Sequence, residues 1–224
     1  MRSEALGRLS ELSQYQWGLV TTSQTAHLGV RRWELHRLVA DGALEAIGFG
    51  VYRISGAPAV PLLDLRVAWL QLAPSKAVEE RVVAEGVVSH TSAAQLYGVG
   101  DFEPDAYEFT VPYRRRTRRQ DLRLHRAAVT DEEVDWLDQL PVTRPGRLAR
   151  DLLEARYDGV HIGQVMADLL DRRLAKRAEL IRAAAPAAAA YGMPAGDGVA
   201  LVDGLVESAT GHPALHRRTA RRQP

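Results

Sequence analysis

The chain has 224 residues, 46% hydrophobic and 25% charged, with 29 Lys and Arg against 28 Asp and Glu for a formal net charge of +1. This composition is ordinary for a globular protein with a real core, and the length accommodates one large domain or two small ones. The lack of cysteine excludes disulfides, thiolate metal sites and a cysteine nucleophile together, and suits a reducing compartment.

The opening M-R-S-E-A-L-G-R-L-S has no apolar signal core, and no stretch nears the ~20 apolar residues of a membrane span. The expected location is therefore the cytoplasm, with no membrane partner. A near-neutral sum does not announce a polyanionic ligand, so the distribution of charge along the chain matters more than its total.

Residues 4–14 are predicted to form a short helix with Leu6, Leu9 and Leu12 on one side. W-G-L-V at 17–20 reads as a strand, and Thr21 or Thr22 as the N-cap of a helix over 23–28. Gly29 supplies the turn into a second helix over 31–40. On it, Leu35, Leu38, Val39 and Gly42 follow the i, i+3, i+4, i+7 spacing of one buried face, and Asp41-Gly42 closes the helix. Arg32, Trp33, His36 and Arg37 then point the other way. L-E-A-I, G-F-G and V-Y-R-I complete the segment as a β-hairpin.

Residues 1–56 thus read as a winged helix-turn-helix whose second helix suits a DNA major groove. The expected DNA-binding residues are Thr22, Arg31, Arg32, Trp33, His36, Arg37 and Arg53. An arginine of this set can pair bidentately with guanine while others hold phosphates. Trp33 either stacks on the sugar–phosphate backbone or folds under the domain. Arg53, on the second strand of the wing, is placed to reach the adjacent phosphate or the minor groove.

Residues 57–61, with Pro58 and Pro61, form a linker, and Pro61 is suited to start a helix over 62–72. A fragment of residues 1–58 is expected to fold alone. The second domain, 62–210, alternates strands and helices: a strand at 87–90, a helix at 92–97 ended by Gly98, strands at 108–112 and 121–126, and a helix from Pro145. From about 160 to 208 the pattern is helical and alanine-rich, broken at Pro186 and at 192–198. The basic tail, 211–224, has little to bury and is expected to be disordered. The fold class is α+β: a winged helix-turn-helix, then a mixed α/β domain with a helical end.

Arg114, Arg115, Arg116, Arg118 and Arg119 put five cations into six residues, read as a solvated hairpin loop between two strands. Such a run repels itself unless it meets nucleic acid, an acidic partner, or the carboxylates at 131–138.

Ser89, His90, His125 and Asp151 invite a hydrolytic reading, but Ser89 lacks a G-x-S-x-G elbow and adjacent side chains on a strand face opposite sides. The cluster reads instead as a capping network. The seven histidines lack metal-ligand spacing, and no P-loop or G-x-G-x-x-G occurs, so neither metal nor cofactor is expected. A nuclease would need clustered carboxylates with a lysine, and neither Lys76 nor Lys176 completes an E-x-K unit. No enzymatic activity is expected.

The N-terminal pattern G-L-V-T-T-S-Q…L-G-V…L-H-R-L-V-A-D-G-A-L…G-F-G-V-Y-R-I resembles the N-terminal domain of AbiEi-type antitoxins of type IV toxin–antitoxin systems. The likeness continues through V-V-S-H-T-S-A-A-Q-L-Y-G-V-G-D, F-T-V-P-Y-R-R-R-T-R-R, L-R-L-H-R and L-P-V-T-R-P-G-R-L-A-R-D-L-L, covering most of residues 10–155. The resemblance implies a repressor that binds inverted repeats in its own promoter, as a possible dimer on the DNA. It also implies a C-terminal domain countering a nucleotidyltransferase toxin without a stable complex. On that basis the arginine run is assigned to antitoxicity. At Arg147 and Asp151 the family often shows Arg-Thr-x-x-Asp; here Leu148 replaces the threonine. The alternatives are a winged-helix regulator unconnected with a toxin, and a protein that modifies or caps the toxin.

Overall fold

The computed structural model describes residues 2–211 except Arg116 and Arg118. The chain is mixed α+β, with two separate antiparallel-containing sheets among the described residues. The first half runs α1 (Arg2–Gln14), β1 (Leu19–Thr21), α2 (Thr22–His27), α3 (Arg32–Ala40), β2 (Leu44–Gly48) and β3 (Val51–Ile54). Trp17 and Gly18 both take left-handed backbone, so the W-G-L-V run turns before it extends and the strand starts only at Leu19.

Thr21 caps α2 reciprocally: its hydroxyl accepts from the Gln24 N–H at 3.1 Å, and the Gln24 amide oxygen accepts from the Thr21 N–H at 2.9 Å. Gly29, at φ 73°, turns the chain into α3, whose entry is fixed by the Glu34 carboxylate accepting from the Arg31 N–H at 2.8 Å. The strands are ordered β1-β3-β2, all antiparallel, and the β2–β3 hairpin carries Phe49 and Gly50 at its tip. Leu9, Val20, Val30, Leu35, Leu38 and Leu44 form the buried core of this half.

The second half opens with α4 (Leu63–Leu70). Pro61 lies outside this helix, because Leu62 serves as N-cap in left-handed conformation. Then come β4 (Val87–Val88), α5 (His90–Tyr97), β5 (Tyr107–Val111), β6 (Leu122–Arg126), β7 (Val134–Leu137), β8 (Leu140–Thr143) and α6 (Pro145–Glu154). Three helices end the described chain: α7 (Gly159–Asp171), α8 (Arg177–Ala184) and α9 (Gly198–Thr210). The basic tail expected to be disordered lies, from residue 212, outside the described residues. α7 and α9 cross closely, since a Cβ on Gly163 would lie 2.1 Å from the Leu205 carbonyl oxygen.

The second sheet has order β6-β5-β4-β8-β7. One expectation is overturned here. β5 and β6 pair in parallel, Tyr107 opposite Leu122 and Val111 opposite Arg126, so the arginine run does not cap a hairpin. β6 starts again beside the beginning of β5, as a parallel pair requires.

The two halves share packing. Trp17, Leu19 and Val51 belong to the same buried cluster as Leu65, Trp69 and Phe109 of the second half. Trp17 stands edge-on to Trp69 at 6.0 Å between ring centroids, and its indole N–H donates to the Asp138 carbonyl at 3.0 Å. Gln24 of α2 donates to the Lys76 carbonyl at 2.9 Å. No helix among the described residues is long and apolar enough to cross a membrane.

Candidate nucleic-acid interface and a buried polar cluster

α3 separates its two faces as its spacing predicts. Leu35 and Leu38 are buried, Val39 is half-buried, and Arg31, Arg32, Trp33, His36 and Arg37 are exposed; Gly42, expected on the buried stripe, lies past the helix end and is exposed. Trp33 is 55% exposed, which excludes its folding under the domain. Arg37 has Asp41 at 3.7 Å, an exposed i, i+4 contact of little energetic weight. The guanidinium groups of Arg31 and Arg32 form no ion pair among the described residues.

Beside α3 lies an open groove of about 700 Å³, lined among others by Thr22, Arg32, His36, Phe49, Tyr52 and Arg119. Phe49, 97% exposed at the hairpin tip, flanks it. The tip is pinned to α2, since the Thr22 N–H donates to the Gly50 carbonyl at 2.9 Å. Arg53 has partners that the strand pattern does not reveal. It sits on the central strand of the first sheet, and its guanidinium donates to the carbonyls of Ala57 at 2.5 Å and Pro58 at 3.0 Å, holding the linker.

The arginine run splits. Arg114 is exposed, Arg115 donates to the Leu72 carbonyl, and Arg119 donates to the Gln71 side chain and to Asp121, the latter at 2.9 Å. Arg116 and Arg118 lie outside the described residues. Gln71 in turn donates to the Phe49 carbonyl at 2.9 Å, so this crossover is joined to the hairpin tip. The acidic segment 131–138 is answered by other arginines: Glu133 by Arg147 at 2.8 Å and Arg150 at 2.7 Å, Asp135 by Arg144 at 2.9 Å, and Asp138 by Arg66 at 2.5 Å.

A second concentration of polar groups lies on the other sheet. Glu108 on β5 and His125 on β6 share one face, and His90 at the start of α5 stacks on His125 with ring centroids 3.5 Å apart. Nε2 of His125 is 2.5 Å from a Glu108 oxygen; the other oxygen accepts from the Thr91 hydroxyl and from the Tyr157 hydroxyl at 2.7 Å. Arg123 adds a guanidinium 3.8 Å from Glu108.

Ser89 and His90 do not face opposite sides. His90 takes left-handed backbone at φ 52°, which turns its Nδ1 to 2.9 Å from the Ser89 hydroxyl. That hydroxyl makes no helix-capping bond and accepts instead from Thr110 at 2.9 Å, so the group is not a capping network. Asp151 stands apart, paired with Arg147 at 2.5 Å, and its second oxygen is buried without a hydrogen-bond partner.

Burial, with His125 adjacent, pushes the His90 imidazole down to about 3, so it is neutral at physiological pH. Burial alone would raise Glu108, but hydrogen bonds from His125, Thr91 and Tyr157 outweigh it and hold the carboxylate at about 2. Glu108 and Tyr157 are the members that sequence reading missed. The visible signal is a polar period of two inside apolar strands: Glu108 and Thr110 on β5, Arg123 and His125 on β6. Compared with known proteins, the chain matches no family model and no curated relative.

Proposed function

We propose that this chain is a sequence-specific DNA-binding repressor that reads double-stranded operator DNA through α3. The observation that carries the reading is the exposed face of α3: Arg31 and Arg32, without ion pairs among the described residues, with Arg37, His36 and Trp33, opposite buried Leu35 and Leu38 and beside a groove open to solvent. In this reading α2 and α3 form a helix-turn-helix and the β2–β3 hairpin is its wing. α3 enters the major groove, where Arg32 or Arg37 forks onto guanine and Arg31 and His36 meet phosphates. Thr22 and Arg119 line the same groove and extend the contact to the backbone, while Arg53 is left out, being committed to the linker.

The resemblance to AbiEi-type antitoxins supplies the biological setting: repression of its own operon and neutralisation of a nucleotidyltransferase toxin. Replacing Arg32 and Arg37 together by Ala should weaken binding to DNA from the chain's own promoter by about 1–3 kcal/mol for each base-reading contact. Gel-shift titration at fixed salt measures this. Unchanged affinity in the double variant would remove α3 as the reading helix.

A further inference from the structure

DNA contact leaves the cluster on the second sheet unused. One ligand atom each from His90, Glu108 and His125 lies within 4.8 Å of the other two. Glu108 is almost completely buried, and a buried carboxylate flanked by two imidazoles is a donor set with a chemical preference. We propose that His90, Glu108 and His125 bind a divalent transition-metal ion of the zinc class, through two imidazole nitrogens and one carboxylate oxygen. Nitrogen donors of this kind favour zinc, cobalt or nickel over magnesium and calcium, which take oxygen ligands.

Two of the three ligands are already oriented. Nδ1 of His90 is engaged by Ser89, itself held by Thr110, which leaves Nε2 of His90 as the metal-facing atom. Glu108 is steadied by the Thr91 and Tyr157 hydroxyls. Such outer partners fix ring orientation and raise ligand basicity at metal sites.

His125 is the ligand that moves. It is 24% exposed along its side chain, and Glu108 is its hydrogen-bond partner. Its ring lies nearly parallel to His90, at 14° between planes. An ion sits close to the plane of each imidazole that binds it, so two stacked rings cannot share one. Binding therefore turns His125 out of the stack and exchanges its hydrogen bond to Glu108 for a bond to the metal. The partly open edge at His125 leaves the fourth position to water, the arrangement of three protein ligands and one open site.

The test is titration of the full chain with Zn²⁺ by calorimetry, and with Co²⁺ by visible absorption, Mg²⁺ being the control. The expected result is one equivalent of Zn²⁺ bound, d–d bands of a four- or five-coordinate cobalt centre, and no response to Mg²⁺. His125→Ala, at a partly exposed position, should lose that equivalent while keeping its circular dichroism, and Glu108→Gln should lose it as well. If the parent chain takes up no stoichiometric Zn²⁺, the proposal is overturned. It is equally overturned if His125→Ala and His90→Gln bind as the parent does, since the ion then sits on other histidines. Gel-shift affinity of the His125→Ala variant separates this site from the DNA reading, because α3 is untouched.

Discussion

The arginines of α3 and those of the second half differ in where their guanidinium groups go. On α3, Arg31 and Arg32 are exposed and unpaired among the described residues, and Arg37 is only loosely held by Asp41. In the second half, Arg81 is buried, donates to the carbonyls of Trp69, Leu70 and Ala73 at 2.7 Å each, and stacks on the Trp69 ring at 4.3 Å. Its pKa falls to about 10, chiefly because burial disfavours its charge. Arg66 covers Trp17 and binds Asp138; Arg147 binds Asp151 and Glu133. A cation taken out of water needs a replacement for each hydrogen bond it loses. The donors of the buried arginines are engaged by the fold, whereas those of Arg31 and Arg32 on α3 face solvent.

The largest expected effect tests the buried side of this contrast. Arg147→Met should cost about 3–5 kcal/mol, because it removes the hydrogen-bonded counter-charge of the buried Asp151 carboxylate and leaves only the weaker influence of Arg150. Urea unfolding followed by circular dichroism measures it, and a loss below about 1 kcal/mol would show that Arg147 is no more committed than the arginines of α3.

Trp17→Ala should cost a similar ~3–5 kcal/mol, since Trp17 fills the seam against Trp69 and Arg66. By the same packing, a fragment of residues 1–58 exposes Trp17, Leu19 and Val51 and should show no cooperative thermal transition. A sharp transition in that fragment would make the two halves independent and the shared core incidental.

Smaller in energy, the exposed side of the contrast is sharpened by Arg32→Ala, expected to change stability by no more than about 0.5 kcal/mol. An unfolding midpoint well outside that range would mean the side chain is held by the fold after all.

The smallest effect concerns Arg119, which shares the groove with Arg32 but is tethered to Gln71 and Asp121. If it reaches phosphate, Arg119→Ser lowers the salt slope of DNA binding by about 0.9. An unchanged slope with lost protection under toxin expression would return it to the antitoxic role expected from the resemblance.

Much of the first half was legible in advance. Leu35, Leu38 and Val39 of the α3 stripe, the Gly29 and Gly42 turns and the hairpin are local patterns, written within a few residues of one another, and they appear as read. Gly42 as the fourth stripe position, by contrast, lies beyond the helix and is exposed. Thr21 caps α2 because its partner Gln24 is three residues away. The linker contact of Arg53 was not legible, because its carbonyl partners at Ala57 and Pro58 come from a chain reversal that no periodicity marks. The parallel β5–β6 pair was missed for a related reason. Two short alternating strands with a polar connection look alike whether the connection turns tightly or crosses over, and the parallel register of β5 and β6 follows from neighbours far away in sequence.

By itself, then, the sequence determined the helices, their buried faces and the cationic surface of α3, because each depends on side-chain spacing along one element. Tertiary structure alone decided that Trp17 belongs to the core of the second half, that Glu133, Asp135 and Asp138 of the acidic segment pair with Arg66, Arg144, Arg147 and Arg150, and that His90, Glu108 and His125 meet. Each of those depends on which distant elements pack side by side, and that neighbour relation is settled by long-range burial rather than by any local preference.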